Sequence, residues 1–117
     1  MARPFAPASN ATLGAAMRDC ESLEEVRREI DRVDRALVAL LAERGGYVRQ
    51  AARFKRDAAA VRAPDRVERV VAGALALAGE LGASPRVTER VYRTMIAAFI
   101  EEEMTAAGLA STPASDE

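Results

Sequence analysis

Residues 22–56 read SLEEVRREIDRVDRALVALLAERGGYVRQAARFKR. Ser22 and Glu25 have the spacing of a capping box, in which a hydroxyl and a carboxylate satisfy the free N–H groups at a helix start. Val26, Ile30, Val33, Leu37, Leu40, Leu41, Val48, Ala51 and Ala52 then recur mostly at intervals of three, four and seven. That period predicts one amphipathic helix from Leu23 to about Arg56. Gly45-Gly46 interrupts the pattern at about 1 kcal/mol per glycine relative to Ala. The pattern resumes in phase, so the helix is expected to continue through the pair, kinked there if anywhere.

A helix of about 34 residues is roughly 50 Å long, whereas a compact 100-residue domain has a radius of gyration of about 13 Å. Only two shorter helices follow. Pro64 and Asp65 begin one as first-turn residues, and Gly82 ends it after about Leu81. Ser84-Pro85 caps the other, which runs to about Ala107 before Gly108. Residues 57–63 read as a short loop, and neither a strand pattern nor a repeat appears. The fold class is therefore all-α, three helices per chain, one long and two shorter. The long apolar stripe overhangs what two short helices can cover, so an intertwined homodimer is expected. Residues 1–19 and 108–117 have the composition of disordered tails around a helical domain at 20–107. The first 17 residues lack the apolar core of a signal peptide, and Met17 is an alternative start to Met1.

Composition narrows the chemistry. The 117 residues carry 17 basic and 18 acidic side chains, a net of −1, with no His or Trp and one Cys. Sixteen of the basic residues are Arg, and Lys55 is the single Lys. Without His there is no Ser-His-Asp or Cys-His catalysis and no His-ligated zinc. Cys20 alone makes no internal disulfide, in keeping with a reducing cytoplasm, and reads as an ordinary residue before the first helix. No apolar run reaches the roughly 20 residues that span a bilayer. The near-neutral charge argues against nucleic acid as a partner. The basic run RQAARFKR at residues 49–56 offers only Phe54 for stacking.

Against this background some charges lie where apolar residues belong. Arg44 follows Leu37, Leu40 and Leu41 by seven, four and three residues, so it shares their stripe. Lys55 stands in the same relation to Val48, Ala51 and Ala52, eleven residues or about three turns beyond Arg44. Arg27 begins the same side. On the last helix, Tyr92, Met95, Ile96, Phe99 and Ile100 form the stripe, and Glu103 continues it, with Glu102 as runner-up. A lone Arg on such a stripe snorkels or pairs with a carboxylate, for which Asp34 and Glu43 are candidates. Three cations and one acid on one side point instead to a cavity for a small dianion, because burying like charges without anions is very costly. Arg27 and Arg44 are about 25 Å apart along one helix, so they meet at one ligand only if two antiparallel chains share the site.

The stretches SLEEVRREIDRVDRALVALLAER, YVRQAARFK, VRAPDRV and VYRTMIAAFIEEEM resemble the all-helical chorismate mutases, in particular the branch that includes isochorismate pyruvate lyases. The resemblance spans residues 20–104, with Arg27, the Ile30-Asp31 and Val33-Asp34 pairs, Arg44 and Lys55 in the family's register. It implies an intertwined dimer with two sites for an enolpyruvyl ether bearing two carboxylates, and no cofactor or metal. Arg27 would reach across from the partner, and Arg44 would bind a carboxylate within its own chain. Lys55 would contact a carboxylate and the ether oxygen. Arg66 would lie near the carboxylates, and Glu103 would hydrogen-bond the ether oxygen. Phe99 and Ile100 would wall the substrate. Three positions depart from the usual mutase pattern. Ala63 and Val67 replace the Asp and Glu that hold the ring hydroxyl side. Glu103 replaces the usual Gln, and must be protonated to donate to the ether. Phe99 replaces a small hydroxyl.

Implied first is a cytoplasmic enzyme converting chorismate to prephenate. Cleavage of isochorismate to salicylate and pyruvate is the close alternative, and 4-amino-4-deoxychorismate rearrangement is a third. A non-enzymatic helical dimerisation module is the reading outside catalysis. A pericyclic step needs positioning and a stabilised ether oxygen, not a nucleophile. Arg forks suit carboxylates and the compact Lys ammonium suits a single oxygen. Lys55→Arg is therefore expected to lower turnover by about a hundredfold although the charge is kept. Near-normal turnover of that variant would remove Lys55 from the mechanism.

Overall fold

The computed structural model describes residues 17–108. Helix α1 spans Leu23–Ala52, α2 Ala58–Arg62, α3 Pro64–Leu81 and α4 Pro85–Ala106. No strand occurs among the described residues. The expected tails lie outside the described residues except for 17–19 and 108.

The capping box at the start of α1 forms. Ser22 Oγ accepts from the Glu25 N–H at 3.1 Å, and Glu25 Oε1 accepts from the Glu21 N–H at 2.9 Å. The helix passes through Gly45-Gly46 unbroken but ends at Ala52, short of Arg56. The N–H groups of Arg53, Phe54 and Lys55 bond three residues back, to Gln50, Ala51 and Ala52 at 3.1, 2.9 and 3.2 Å. Such tight bonds close a helix end. Lys55 is thus placed by this turn and not by the helical period from which its position was inferred.

The expected loop at 57–63 contains the one-turn helix α2. Asp57 Oδ1 caps it by accepting from the Ala60 N–H at 2.9 Å, and its alanines are the strongest helix formers. Ala63 stops it in a left-handed conformation, φ 34°, with its N–H on the Ala59 carbonyl at 2.9 Å. Pro64 disfavours right-handed backbone at the preceding residue and itself opens α3. At the far end Gly82, φ 76°, ends α3, and Ser84 Oγ accepts from the Val87 N–H at 3.1 Å to open α4.

The short connection folds α3 and α4 into an antiparallel hairpin. Val71, Ala74 and Ala78 on α3 are buried, as are Ile96 and Met104 on α4; the small alanines permit close approach. Across the hairpin Arg93 forks onto Glu68 at 2.9 and 3.0 Å and also reaches Glu89 at 2.9 Å. The guanidinium holds the Glu68 carboxyl below its usual range. The pair is open to water, so it fixes geometry more than it stabilises.

Helix α1 rests on α4 through its C-terminal part. Gly45 is buried there, and a Cβ on it would lie 3.1 Å from Phe99 Cε1. Upstream of Ala36, only Glu25 and Glu29 on α1 escape full exposure, and both pair with Arg18. Ile30, Val33 and Leu37 remain 51, 44 and 53% exposed. The longest dimension is 52 Å and the radius of gyration 17.5 Å, well above the roughly 13 Å of a compact domain of this size. The apolar stripe on α1 is therefore largely uncovered within the single chain.

The two adjacent glycines separate by consequence. Gly46→Ala meets only the mobile end of Arg49, at 3.9 Å, and is expected to stabilise by up to about 1 kcal/mol. Gly45→Ala must displace the Phe99 ring and is expected to lose about 1–3 kcal/mol to overpacking. Thermal denaturation of the two variants checks the order; equal melting temperatures would contradict the tight approach of α1 to α4.

Candidate active site

A cavity of about 390 Å³ opens between the C-terminal part of α1, α2, the start of α3 and the end of α4. Arg44, Lys55, Arg62 and Arg66 line it together with Glu103, and Phe99 and Ile100 supply part of its apolar wall. Of the seven residues singled out in the sequence, Arg44, Lys55, Arg66, Phe99, Ile100 and Glu103 thus meet in one place. Arg27 does not. It is exposed on α1, and the 17 residues to Arg44 amount to about 25 Å of helix.

The acid and the lysine are in contact. Lys55 Nζ donates to Glu103 Oε2 at 3.1 Å, with the Glu103 side chain 6% and the Lys55 side chain 27% exposed. This bond ties the turn after α1 to the last turns of α4, 48 residues away. Glu103 is buried whereas Glu101 and Glu102 are exposed, which settles the choice among the three. Its phase with Phe99 and Ile100 puts it on the inner face.

Arg44 is half-buried, and its guanidinium lies over the Phe99 ring at 5.8 Å from the centroid. A cation over an aromatic face is held there electrostatically. Phe99 thus orients Arg44 as well as walling the cavity, and Gly45 supplies the room for the ring. The sequence signals the glycine pair but not its purpose, because a glycine in a helical pattern looks the same whether it is tolerated or required. Arg62 and Tyr47 also reach the cavity and were not singled out. Arg62 depends on α2, which was expected to be loop. Tyr47 is in phase with Leu40 and Ala51, so the apolar stripe could have found it.

The α3 side of the cavity is apolar at two positions. Ala63 and Val67 both line it. No cluster of three or more His, Cys, Asp or Glu side chains that could hold a metal occurs among the described residues, and none of the helices is long and apolar enough to cross a membrane.

The sequence itself is similar to known proteins. Residues 26–104 fit the model of chorismate mutase type II, and the chain belongs to that family. It is also 35% identical over 86 residues to an isochorismate pyruvate lyase from Pseudomonas aeruginosa, a span covering 74% of this chain and 85% of the relative.

The Lys55–Glu103 bond is open to a double-mutant test. Removing one partner leaves a buried, unpaired charge, so Lys55→Met is expected to destabilise by about 3 kcal/mol. Adding Glu103→Gln to that variant should restore about 1–3 kcal/mol of it. Additive losses in urea denaturation would show the pair to be uncoupled.

Proposed function

We propose that the cavity binds an enolpyruvyl ether with two carboxylates and carries it through a pericyclic step, with chorismate to prephenate as the first activity. The observation that carries this is the meeting of Arg44, Lys55 and Arg66 with the buried Glu103 in one small cavity. Membership of the chorismate mutase type II family makes the chain an enzyme of this kind. Arg44 and Arg66 clamp the carboxylates as forks, which holds the folded conformer in which the bond-forming carbons approach. Lys55 faces the ether oxygen, where negative charge builds as the C–O bond breaks.

Glu103 donates to the same oxygen and must carry a proton to do so. In the unliganded chain it accepts from Lys55 instead.

The site is complete only with a second chain. The uncovered stripe of α1 and the groove where Leu37, Leu40 and Leu41 meet Val91, Tyr92 and Met95 form the face on which the partner packs. An antiparallel partner brings its own α1 across, and with it the second copy of Arg27. The pair forms an intertwined homodimer with two shared sites.

A second activity has a specific observation in its favour. Ala63 and Val67 give the α3 wall nothing to hold a ring hydroxyl, and the curated relative is an isochorismate pyruvate lyase. In that reaction the same C–O bond breaks while a ring hydrogen moves to the enolpyruvyl methylene, leaving salicylate and pyruvate. In the mutase reaction the methylene carbon bonds to the ring instead. The cationic clamp serves both.

Purified protein assayed with chorismate and isochorismate in parallel is expected to turn over at least one ether, and Arg44→Ala to abolish it. No turnover of either would leave only a dimerisation module, and full activity in Arg44→Ala and Lys55→Ala would remove this cavity from the mechanism. Glu103→Gln keeps a donor at this position and is expected to retain turnover, whereas Glu103→Ala removes it and should lower kcat by about a hundredfold. Equal losses in the two variants would exclude Glu103 as the donor.

A further inference from the structure

The charges of this chain are sharply segregated. Residues 44–69 carry eight cations against three acids, a net of +5, and the remaining residues carry nine against fifteen, a net of −6. The positive segment is the end of α1, all of α2 and the start of α3, the same stretch that supplies Arg44, Lys55, Arg62 and Arg66 to the cavity. Arg49 and Arg53 line a second cavity that shares Val48, Phe99 and Glu103 with the first. Arg56 directly follows Lys55, and Arg69 lies one turn beyond Arg66. These six arginines, 49, 53, 56, 62, 66 and 69, are all exposed.

Their charge is not neutralised locally. Two of the segment's three acids are engaged elsewhere: Asp57 caps α2 and Glu68 is held by the Arg93 fork; Asp65, in the first turn of α3, is the third. Among the described residues none of the six arginines has a carboxylate within 4 Å, a state they share with Arg27, Arg28, Arg35, Arg44, Arg86 and Arg90. Helix dipoles account for some of the placement, since Arg49, Arg53 and Arg62 are at the C-terminal ends of α1 and α2, where cations are favoured. They do not account for Arg66 and Arg69, which stand in the first two turns of α3, the end that disfavours cations. Arg66 and Arg69 stand against local preference, and with them the net charge of the segment marks a functional field.

We propose that the six arginines form an electropositive collar that gathers the dianionic ether from solution and delivers it to Arg44 and Lys55. The collar rests on the dianion reading of the cavity and extends it from the bound state to capture. Its action is through space. The Debye length is about 10 Å at 0.1 M salt, so charges on the segment that lines the cavity act on an approaching dianion in dilute buffer and are screened in concentrated salt. The same collar discriminates by charge, favouring dianions over neutral or singly charged ring acids of the same shape.

The test follows turnover of whichever ether the full chain converts, between about 20 and about 300 mM NaCl. It compares the native enzyme with Arg56→Gln/Arg69→Gln and Arg56→Lys/Arg69→Lys, positions outside the cavity lining. Native kcat/KM is expected to fall by about tenfold across the range, with kcat constant. The Gln pair should lower kcat/KM by about threefold or more at low salt, leave kcat alone and flatten the salt dependence. The Lys pair should restore both, because a field needs charge and not a planar fork. A salt-independent native kcat/KM overturns the collar, and that arm needs no variant to fold. A Lys pair as impaired as the Gln pair would also overturn it, by showing specific contacts. Tight, salt-sensitive binding of a short DNA duplex, with kcat/KM unmoved in the Gln pair, would assign the patch to nucleic acid instead. Absence of turnover with both ethers would overturn the dianion site itself, and the collar with it.

Discussion

Helix α1 is longer than the rest of the chain can cover, and most other features follow from that mismatch. Thirty residues give about 45 Å of helix, but only the C-terminal part packs on α4. Ile30, Val33 and Leu37 are left half exposed on one face. At about 25 cal/mol per Å², such a face is too apolar to leave in water. In the dimer proposed above, a second copy covers it and also brings a distant cation to the cavity. In the proposed dimer the apolar seam and the shared site are therefore one construction.

At the other end of α1 the structure spends its close packing on orientation. Gly45 lets Phe99 approach the helix, Phe99 lies under Arg44, and Lys55 bonds the buried Glu103. Each cation is held by a different device, an aromatic face in one case and a carboxylate in the other. Fixed donors of this kind do not have to reorganise as charge develops in a transition state. The turn that ends α1 matters here as well, since its three-residue bonds set where Lys55 emerges.

Much of this was legible in the sequence. The period from Val26 to Ala52, the Ser22 and Ser84 caps, Pro64 and Gly82 locate the three long helices, because each is a local signal. The phase of Glu103 with Phe99 and Ile100 separates it from Glu101 and Glu102. What escaped was not local. The end of α1 moved from about Arg56 to Ala52, because apolar phase continues through Ala51 and Ala52 whether or not the backbone does. Helix α2 was read as loop because five residues show no period, although the Asp57 cap was present. Gly45 owes its role to Phe99, a contact between segments that a one-dimensional pattern does not carry. Lys55 lines the cavity from a turn, where the apolar period implies a helix.

The central claim is that each site is assembled from two chains, with Arg27 crossing the seam. Complementation tests it directly. Arg27→Ala and Lys55→Ala chains, each inactive alone, are mixed in equal amounts, partially unfolded and refolded together. Half the dimers then pair one variant with the other, and each holds one intact site. The mixture is expected to recover about a quarter of native activity. A mixture as inactive as its components, under conditions where subunits demonstrably exchange, would show that Arg27 and Lys55 do not meet across the seam, and would contradict the account.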